Sequence, residues 1–286
     1  MNLNFWLIQA FNGISYGALL FLVGSGLSLI FGVMRIVNLA HGSYFLLGGY
    51  VALTVIWTTG SWLLALPVAA LAIALLGLAM ERIFLRPLGF DPLRQVLLTV
   101  GFAFLFQQAA LDIWSGNNFD ITPPAALSGT INVGGLFLPL YRIFMIVMAA
   151  AIGLALWLAM EKTRLGAAVR ATVDDAQMAR GIGIDTSRIS MLIFALGAFL
   201  AALGGVIGGA FLGVYPGLDF EMLPLAFAVV IIGGMGSLGG AAIGALAVGL
   251  ADNFGKALFP EISYFTLYAP MALILAIKPT GLFGRE

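Results

Sequence analysis

The chain has 286 residues, 62% of them hydrophobic and only 9% charged, where an ordinary soluble domain is about a quarter charged. That composition excludes a water-soluble fold, and 13 Lys plus Arg against 13 Asp plus Glu leave no basic excess for a nucleic-acid surface. The absence of cysteine removes disulfides, thiol catalysis and cysteine-based metal sites, while 37 glycines set among Leu, Ile, Ala and Phe point to close helix packing in lipid.

A helix crosses a bilayer core with about 20 predominantly apolar residues, so charge-free intervals are the units to read. Residues 1–34 carry no charged side chain and predict a first span that is retained, since no basic segment precedes it. Residues 36–80 carry no charged side chain apart from His41, whose charge depends on its surroundings, and are too long for one helix; Thr58-Thr59-Gly60-Ser61 divides them. Further spans fit 95–111, 143–160, 189–213 and 262–277. Polar connections are expected at Arg35, 81–94, 115–141, 161–188, 215–221, 252–261 and the tail from Lys278.

Alternating these connections between two sides gathers Arg35, Arg82, Arg86, Arg94, Lys162, Arg164, Arg170, Arg180, Arg188, Lys278 and Arg285 on one side. Arg142 and Lys256 stay opposite. Lys and Arg in short loops are held in the cytoplasm during insertion, so the N-terminus is expected outside and the C-terminus inside. The fold expected is an all-α, polytopic membrane protein of about seven to nine spans, with two discontinuous or re-entrant regions. Whether 222–256 crosses twice or dips in and out, the parity is the same.

The first discontinuity is Val37-Asn38-Leu39-Ala40-His41-Gly42-Ser43. Asn38, His41 and Ser43 supply donors and acceptors where lipid offers none, and Gly42 permits close backbone approach. The segment either lines or gates a substrate path or clamps helices together; a metal role for His41 lacks any second His or any Cys. Nearly all carboxylates fall at span ends or in loops, which argues against a self-powered, ion-coupled carrier.

The second discontinuity is the glycine run around Gly233, Gly234, Gly236 and Gly239. It spells GxGxxG after a strand-like run, 226–232, with Asp252 near the spacing of a ribose-binding acid. A dinucleotide site needs a βαβ unit, which the flanking spans do not supply, so the preferred reading is a broken helix exposing backbone toward a cavity. A phosphate-loop reading of 249–256 also fails, because five residues separate Gly249 from Gly255 and Ala257 stands where Ser or Thr would bind magnesium. Small residues four apart, as in Gly24, Ser28 and Gly32 or Gly205, Gly209 and Gly213, suit helix backbones in contact.

The connection 161–188 is the most charged segment. Good helix formers fill 167–180, with Val169, Thr172, Val173 and Ala176 on one face and Gly181 and Gly183 as stops. Such a helix either docks a soluble partner or lies on anionic lipid, and Asp174 and Asp175 favour the partner.

Arg35-Ile36-Val37-Asn38-Leu39-Ala40-His41-Gly42, Leu98-Thr99-Val100-Gly101 with Gln107, Arg170-Ala171 with Asp174 and Gly183-Ile184-Asp185, and Ile232-Gly233-Gly234-Met235-Gly236-Ser237-Leu238-Gly239-Gly240 together resemble the permease subunits of branched-chain amino-acid ABC importers, over residues 12–284. The resemblance implies one transmembrane permease domain over 1–286 in the bacterial cytoplasmic membrane, with 161–188 as a cytoplasmic coupling loop and 115–141 as an extracytoplasmic loop. It implies four kinds of association: a homologous second permease, two ATP-binding subunits, an extracytoplasmic solute-binding protein, and membrane lipid. ATP and magnesium would bind those partner subunits, and this chain would hold no cofactor, no metal and no nucleic acid. Coupling would involve Arg170, Ala171, Asp174, Asp175, Met178, Ala179 and Gly181, although Asp175-Ala176-Gln177 stands where other importers carry Glu-Ala-Ala. The translocation path or its gates would involve Asn38, His41, Gly42, Ser43, Gly233, Gly234, Gly236 and Gly239. Family cargoes include leucine, isoleucine and valine, with urea, short amides or aromatic acids as alternatives. A stand-alone channel or a membrane-bound dinucleotide enzyme are the readings from other classes.

Overall fold

The computed structural model describes residues 3–89, 91–278 and 280–284; Met1 and Arg285, which enter the span and sidedness expectations, lie outside them. Helices dominate, as lipid requires, since backbone groups in a bilayer must be satisfied within helices or a closed barrel. In chain order they are α1 (Leu3–Met34), α2 (His41–Thr59), α3 (Trp62–Met80), α4 (Pro92–Trp114), α5 (Leu140–Lys162) and α6 (Arg164–Asp174). There follow α7 (Ala176–Gly181), α8 (Thr186–Leu212), α9 (Leu218–Gly233), α10 (Leu238–Leu258) and α11 (Ser263–Ile277). Among the described residues six are long and apolar enough to cross a membrane: α1, α3 with its continuation to Leu88, α4, α5, α8 and α10.

Local chemistry sets the boundaries. The division expected at 58–61 is found there: Gly60 takes a left-handed φ of 69° at the end of α2, and Ser61 Oγ accepts from Leu64 N, 3.3 Å away, to start α3. Asp91 caps α4, with Pro92 following it, and Asp185 and Ser237 cap α8 and α10.

Several expectations change. The single helix expected over 167–180 is two, because Asp175 leaves the helical region (φ −153°) and its carboxylate accepts from Gln177 N and Met178 N to cap α7. Residues 252–258, expected in a loop, continue α10, where Lys256 Nζ donates to Asp252 Oδ2 at 2.8 Å one turn back and so neutralises the pair on the helix face. The all-α expectation misses a hairpin inside 115–141, formed by β1 (Thr130–Val133) and β2 (Leu136–Pro139). Gly134 and Gly135 turn it with φ of 60° and 88°, a conformation open to glycine. Finally, the strand-like run 226–232 is helical within α9, which removes the strand that a dinucleotide site would need.

The centre of the molecule is the pair α1 and α8, whose most apolar windows are 83% and 72% buried, against 22% for α4 and for α5. They run antiparallel: a Cβ on Gly197 would meet Ile30, one on Gly204 would meet Val23 at 2.9 Å, and one on Gly208 would meet Leu19 at 3.2 Å. Around this pair, α2 packs on α8 and α3, α9 packs on α1 and α10, α3 lies along α8, and α10 lies along α1. Exchanging α1 with α8, α2 with α9 and α3 with α10 turns each pairing into another of the set. Six helices of the bundle therefore form two consecutive triplets with one contact plan, each triplet opening with a long helix, a break and a shorter helix.

Candidate functional site

The first break starts where Arg35 takes φ 58°, rare for a residue with a side chain, just after its N–H closes α1 on Phe31 O at 2.8 Å. Residues 35–40 then return into the bundle without helical structure. His41 Nε2 lies 2.9 Å from Val23 O, 11 residues and so about 17 Å before the end of α1. Backbone that leaves a helix at this depth must find other partners. Asn38 Oδ1 accepts from Ala40 N at 3.1 Å, and Thr99 Oγ1 of α4 accepts from Leu39 N at 3.2 Å, its own proton going to Val96 O at 2.9 Å with Val37 O farther off at 3.5 Å.

The start of α2 meets the start of α9. A Cβ on Gly42 would collide with the carbonyl of Asp219 and lie 3.0 Å from Leu223 Cβ, so the two first turns touch through backbone. Ser43 Oγ donates to Asp219 Oδ2 at 3.2 Å, and Asn38, His41, Ser43 and Asp219 are all buried. Among the described residues, Asn38 Nδ2, His41 Nδ1 and Asp219 Oδ1 have no hydrogen-bond partner. The Asp219 carboxylate sits in the first turn of α9 and beside the first turn of α2, where two sets of helix N–H dipoles favour negative charge.

The other end of α9 runs into the glycine run. Gly234 (φ 103°) and Gly236 (φ 81°) make the turn, and Ser237 Oγ accepts from Gly240 N at 3.0 Å to open α10. A Cβ on Gly32 would lie 2.9 Å from Gly236 Cα, so α1 seats directly on this turn. The C-terminal tail lies against it as well: Leu282 N donates to Ile232 O and Phe283 N to Gly233 O, each at 3.0 Å, satisfying carbonyls that the end of α9 leaves open. Gly239 has open space where a Cβ would be.

A cavity of about 460 Å³ lies beside this turn, lined among others by Arg35, Glu161, Arg170, Gly236, Gly239 and Phe283. It brings together the first break, the glycine run, the tail and α6. Arg170 reaches back along α6 to donate to Met160 O at the end of α5, with Glu161 Oε2 at 3.8 Å. Val169 and Thr172 are buried, as their spacing predicts, and so is Ala179. Asp174, Asp175 and Gly181 are exposed, and Met178 and Ile182 project as apolar side chains 65% and 69% exposed.

Residues 9–275 match the family described as the permease component of the branched-chain amino acid transport system. The chain is 32% identical to the high-affinity branched-chain amino acid transport system permease protein LivH of Salmonella typhimurium, over 98% of this chain and 96% of that one. It is 29% identical to the corresponding protein BraD of Pseudomonas aeruginosa, with the same coverage. The chain belongs to the branched-chain amino acid transport permease family. The autoinducer 2 import system permease protein LsrC of Escherichia coli is also similar, 29% identical over 63% of this chain and 54% of that one. No solved structure matches the chain.

The permease is thus a transport protein and not an enzyme. Its expected path residues fall into two groups that do not touch: Asn38, His41, Gly42 and Ser43 gather at the start of α9, and Gly233, Gly234, Gly236 and Gly239 at its end. Two further residues join the permease's first group without a site role expected from the sequence. Thr99 belongs to the quoted Leu98-Thr99-Val100-Gly101 motif without a role expected for it, and Asp219 reads as part of a loop, although two acids, Asp219 and Glu221, just before the uncharged run 222–251 are a recognisable anomaly.

Proposed function

We propose that this chain is the transmembrane subunit of an ATP-driven, binding-protein-dependent importer that moves branched-chain or related small amino acids by alternating access. Its N-terminus is outside and its C-terminus in the cytoplasm of a bacterial cell, with α6 and α7 facing the ATP-binding subunits at the inner membrane surface. The observation that carries the reading is the cavity in which Arg170 of α6 faces the glycine run and Arg35. A push on α6 from a soluble partner reaches α1, which α6 contacts and whose Gly32 seats on the turn that ends α9; the start of α9 holds the first break. So α9 acts as a strut between both discontinuities, and a rigid helix transmits a shift at one end to the other.

The partners are a second, homologous permease, two ATP-binding subunits that hold ATP and magnesium, and an extracytoplasmic solute-binding protein. The test is reconstitution of the complete importer in proteoliposomes. Accumulation of leucine, isoleucine or valine that requires both ATP and loaded binding protein is the expected result; uptake by this chain without ATP-binding subunits would assign it to a stand-alone channel or carrier. Accumulation of an autoinducer, a urea or an amide in place of amino acids would keep the mechanism and change the cargo.

A further inference from the structure

A second cavity, of about 280 Å³, lies at the far end of α10 from the glycine run. Lys256 is 18 residues beyond Leu238, so about 27 Å separates this cavity from the coupling side. Its walls include Tyr16 of α1, Phe220 and Glu221 of α9, and Asp252 and Lys256 of α10. Fixed charges are scarce in this chain and expensive in a membrane bundle, yet three of them converge here, beside the first turn of α9.

Their hydrogen bonds leave capacity on both signs. Lys256 Nζ donates once to Asp252 Oδ2 at 2.8 Å, and an ammonium has three donors. Asp252 is held 8% exposed behind it, while Lys256 is 62% exposed and lies 5.7 Å from the centroid of the Tyr16 ring. Glu221 Oε2 accepts from Tyr215 Oη at 2.8 Å, which leaves Oε1 for another donor. The arrangement is an anchored cation and an anchored carboxylate on one small cavity whose remaining wall combines aromatic rings with Pro224, Leu225 and Ser263. A surface ion pair alone, Lys256 with Asp252, would need neither Glu221 nor the enclosing rings.

We propose that this cavity is a recognition subsite for a free α-amino acid, with Lys256 taking the carboxylate, Glu221 taking the ammonium, and Phe220 and Tyr16 flanking an apolar side chain. The inference rests on the importer reading for its choice of amino acid as cargo, and places the subsite at the end of the permease that receives solute from the binding protein. Recognition needs both poles: a ligand lacking the amine leaves Glu221 unmatched, and one lacking the carboxylate leaves the spare donors of Lys256 unmatched.

The test uses the assembled importer in nanodiscs without binding protein, titrated by calorimetry with L-leucine, with isocaproate, which lacks the amine, and with isoamylamine, which lacks the carboxylate. The expected result is that leucine binds at least about tenfold tighter than either analogue, since each analogue lacks one of the two charge-assisted hydrogen bonds. Glu221→Gln is expected to shrink the preference over isocaproate, and the pair Lys256→Met with Asp252→Asn the preference over isoamylamine, whereas Lys256→Arg keeps it. A merely structural role for these residues does not move such ratios. Equal binding of the three ligands, or unaltered ratios in variants that co-purify with the ATP-binding subunits, overturns the subsite. If the importer accumulates no amino acid in proteoliposomes while leucine still binds selectively, the importer reading fails and the subsite stands.

Discussion

Ser43 Oγ and Asp219 Oδ2 lie 3.2 Å apart, joining the first turns of two helices whose sequences are 176 residues apart. Among the described residues the other carboxylate oxygen of Asp219 has no hydrogen-bond partner, although the residue is buried. Ser43→Ala therefore leaves a buried charge less satisfied and is expected to destabilise the permease by about 1–3 kcal/mol. Asp219→Asn should cost a similar amount by removing the anion from two helix N-termini. Because the residues act on one bond, the double variant is expected to lose less than the sum. Thermal unfolding of the three variants in one detergent measures this; strict additivity would mean that the contact is incidental.

The glycine run permits an internal comparison. A Cβ on Gly236 would lie 3.0 Å from Gly32 Cα, at a left-handed φ of 81°, whereas Gly239 has nothing within 4 Å. Gly236→Ala is expected to destabilise by at least about 1–2 kcal/mol from backbone strain alone, and Gly236→Leu to abolish uptake while the complex still assembles. Gly239→Ala, in the first turn of α10, should be neutral or stabilising by up to about 1 kcal/mol. Melting temperatures of the alanine variants and uptake by the leucine variant are the measurements, and a Gly236→Leu permease that transports normally would remove the gating role from this turn.

Charge scarcity and glycine placement made the broad design legible. The division at Gly60, the return of the chain at 35–40 and the stop at 234–236 are all written in local chemistry, as a residue that favours left-handed φ or a polar cluster in an apolar run. What local chemistry does not show is which breaks meet. The sequence places Asn38 through Ser43 and Gly233 through Gly239 as equivalent interruptions, but only tertiary packing puts the first group at one end of α9 and the second at the other. Asp252 was unreadable as a buried residue for a related reason: its neutralising partner is Lys256, and the pair reads as two loop charges until the helix period sets them face to face.

The tail makes the third prediction. Leu282 N and Phe283 N satisfy the Ile232 and Gly233 carbonyls, and proline at either position removes that donor. Leu282→Pro or Phe283→Pro is expected to raise amide hydrogen exchange in the last turn of α9 and to lower stability by about 1–3 kcal/mol. Exchange that rises only in the tail itself would show that the tail rests on α9 without bracing it.

The coupling reading turns on Asp175. Its carboxylate accepts from Gln177 N at 2.8 Å and Met178 N at 2.9 Å, and its extended backbone separates α6 from α7. The six residues of α7 are too few to hold a helix unaided. Loss of the cap in Asp175→Ala, worth about 1 kcal/mol, therefore acts on the placement of Met178 and Ile182, the exposed apolar pair available to a soluble partner. Arg170→Glu acts on the other side of the bend, breaking the tie to Met160 O and setting two acids together at Glu161. Both variants are expected to keep the permease folded, since they lie outside the α1 and α8 core, and to reduce ATP hydrolysis stimulated by loaded binding protein. Asp174→Arg, on the exposed face beside the bend, tests the contact surface without altering the cap. Stimulated hydrolysis at the unmodified rate in Asp174→Arg and Arg170→Glu complexes would place the coupling surface elsewhere on the permease.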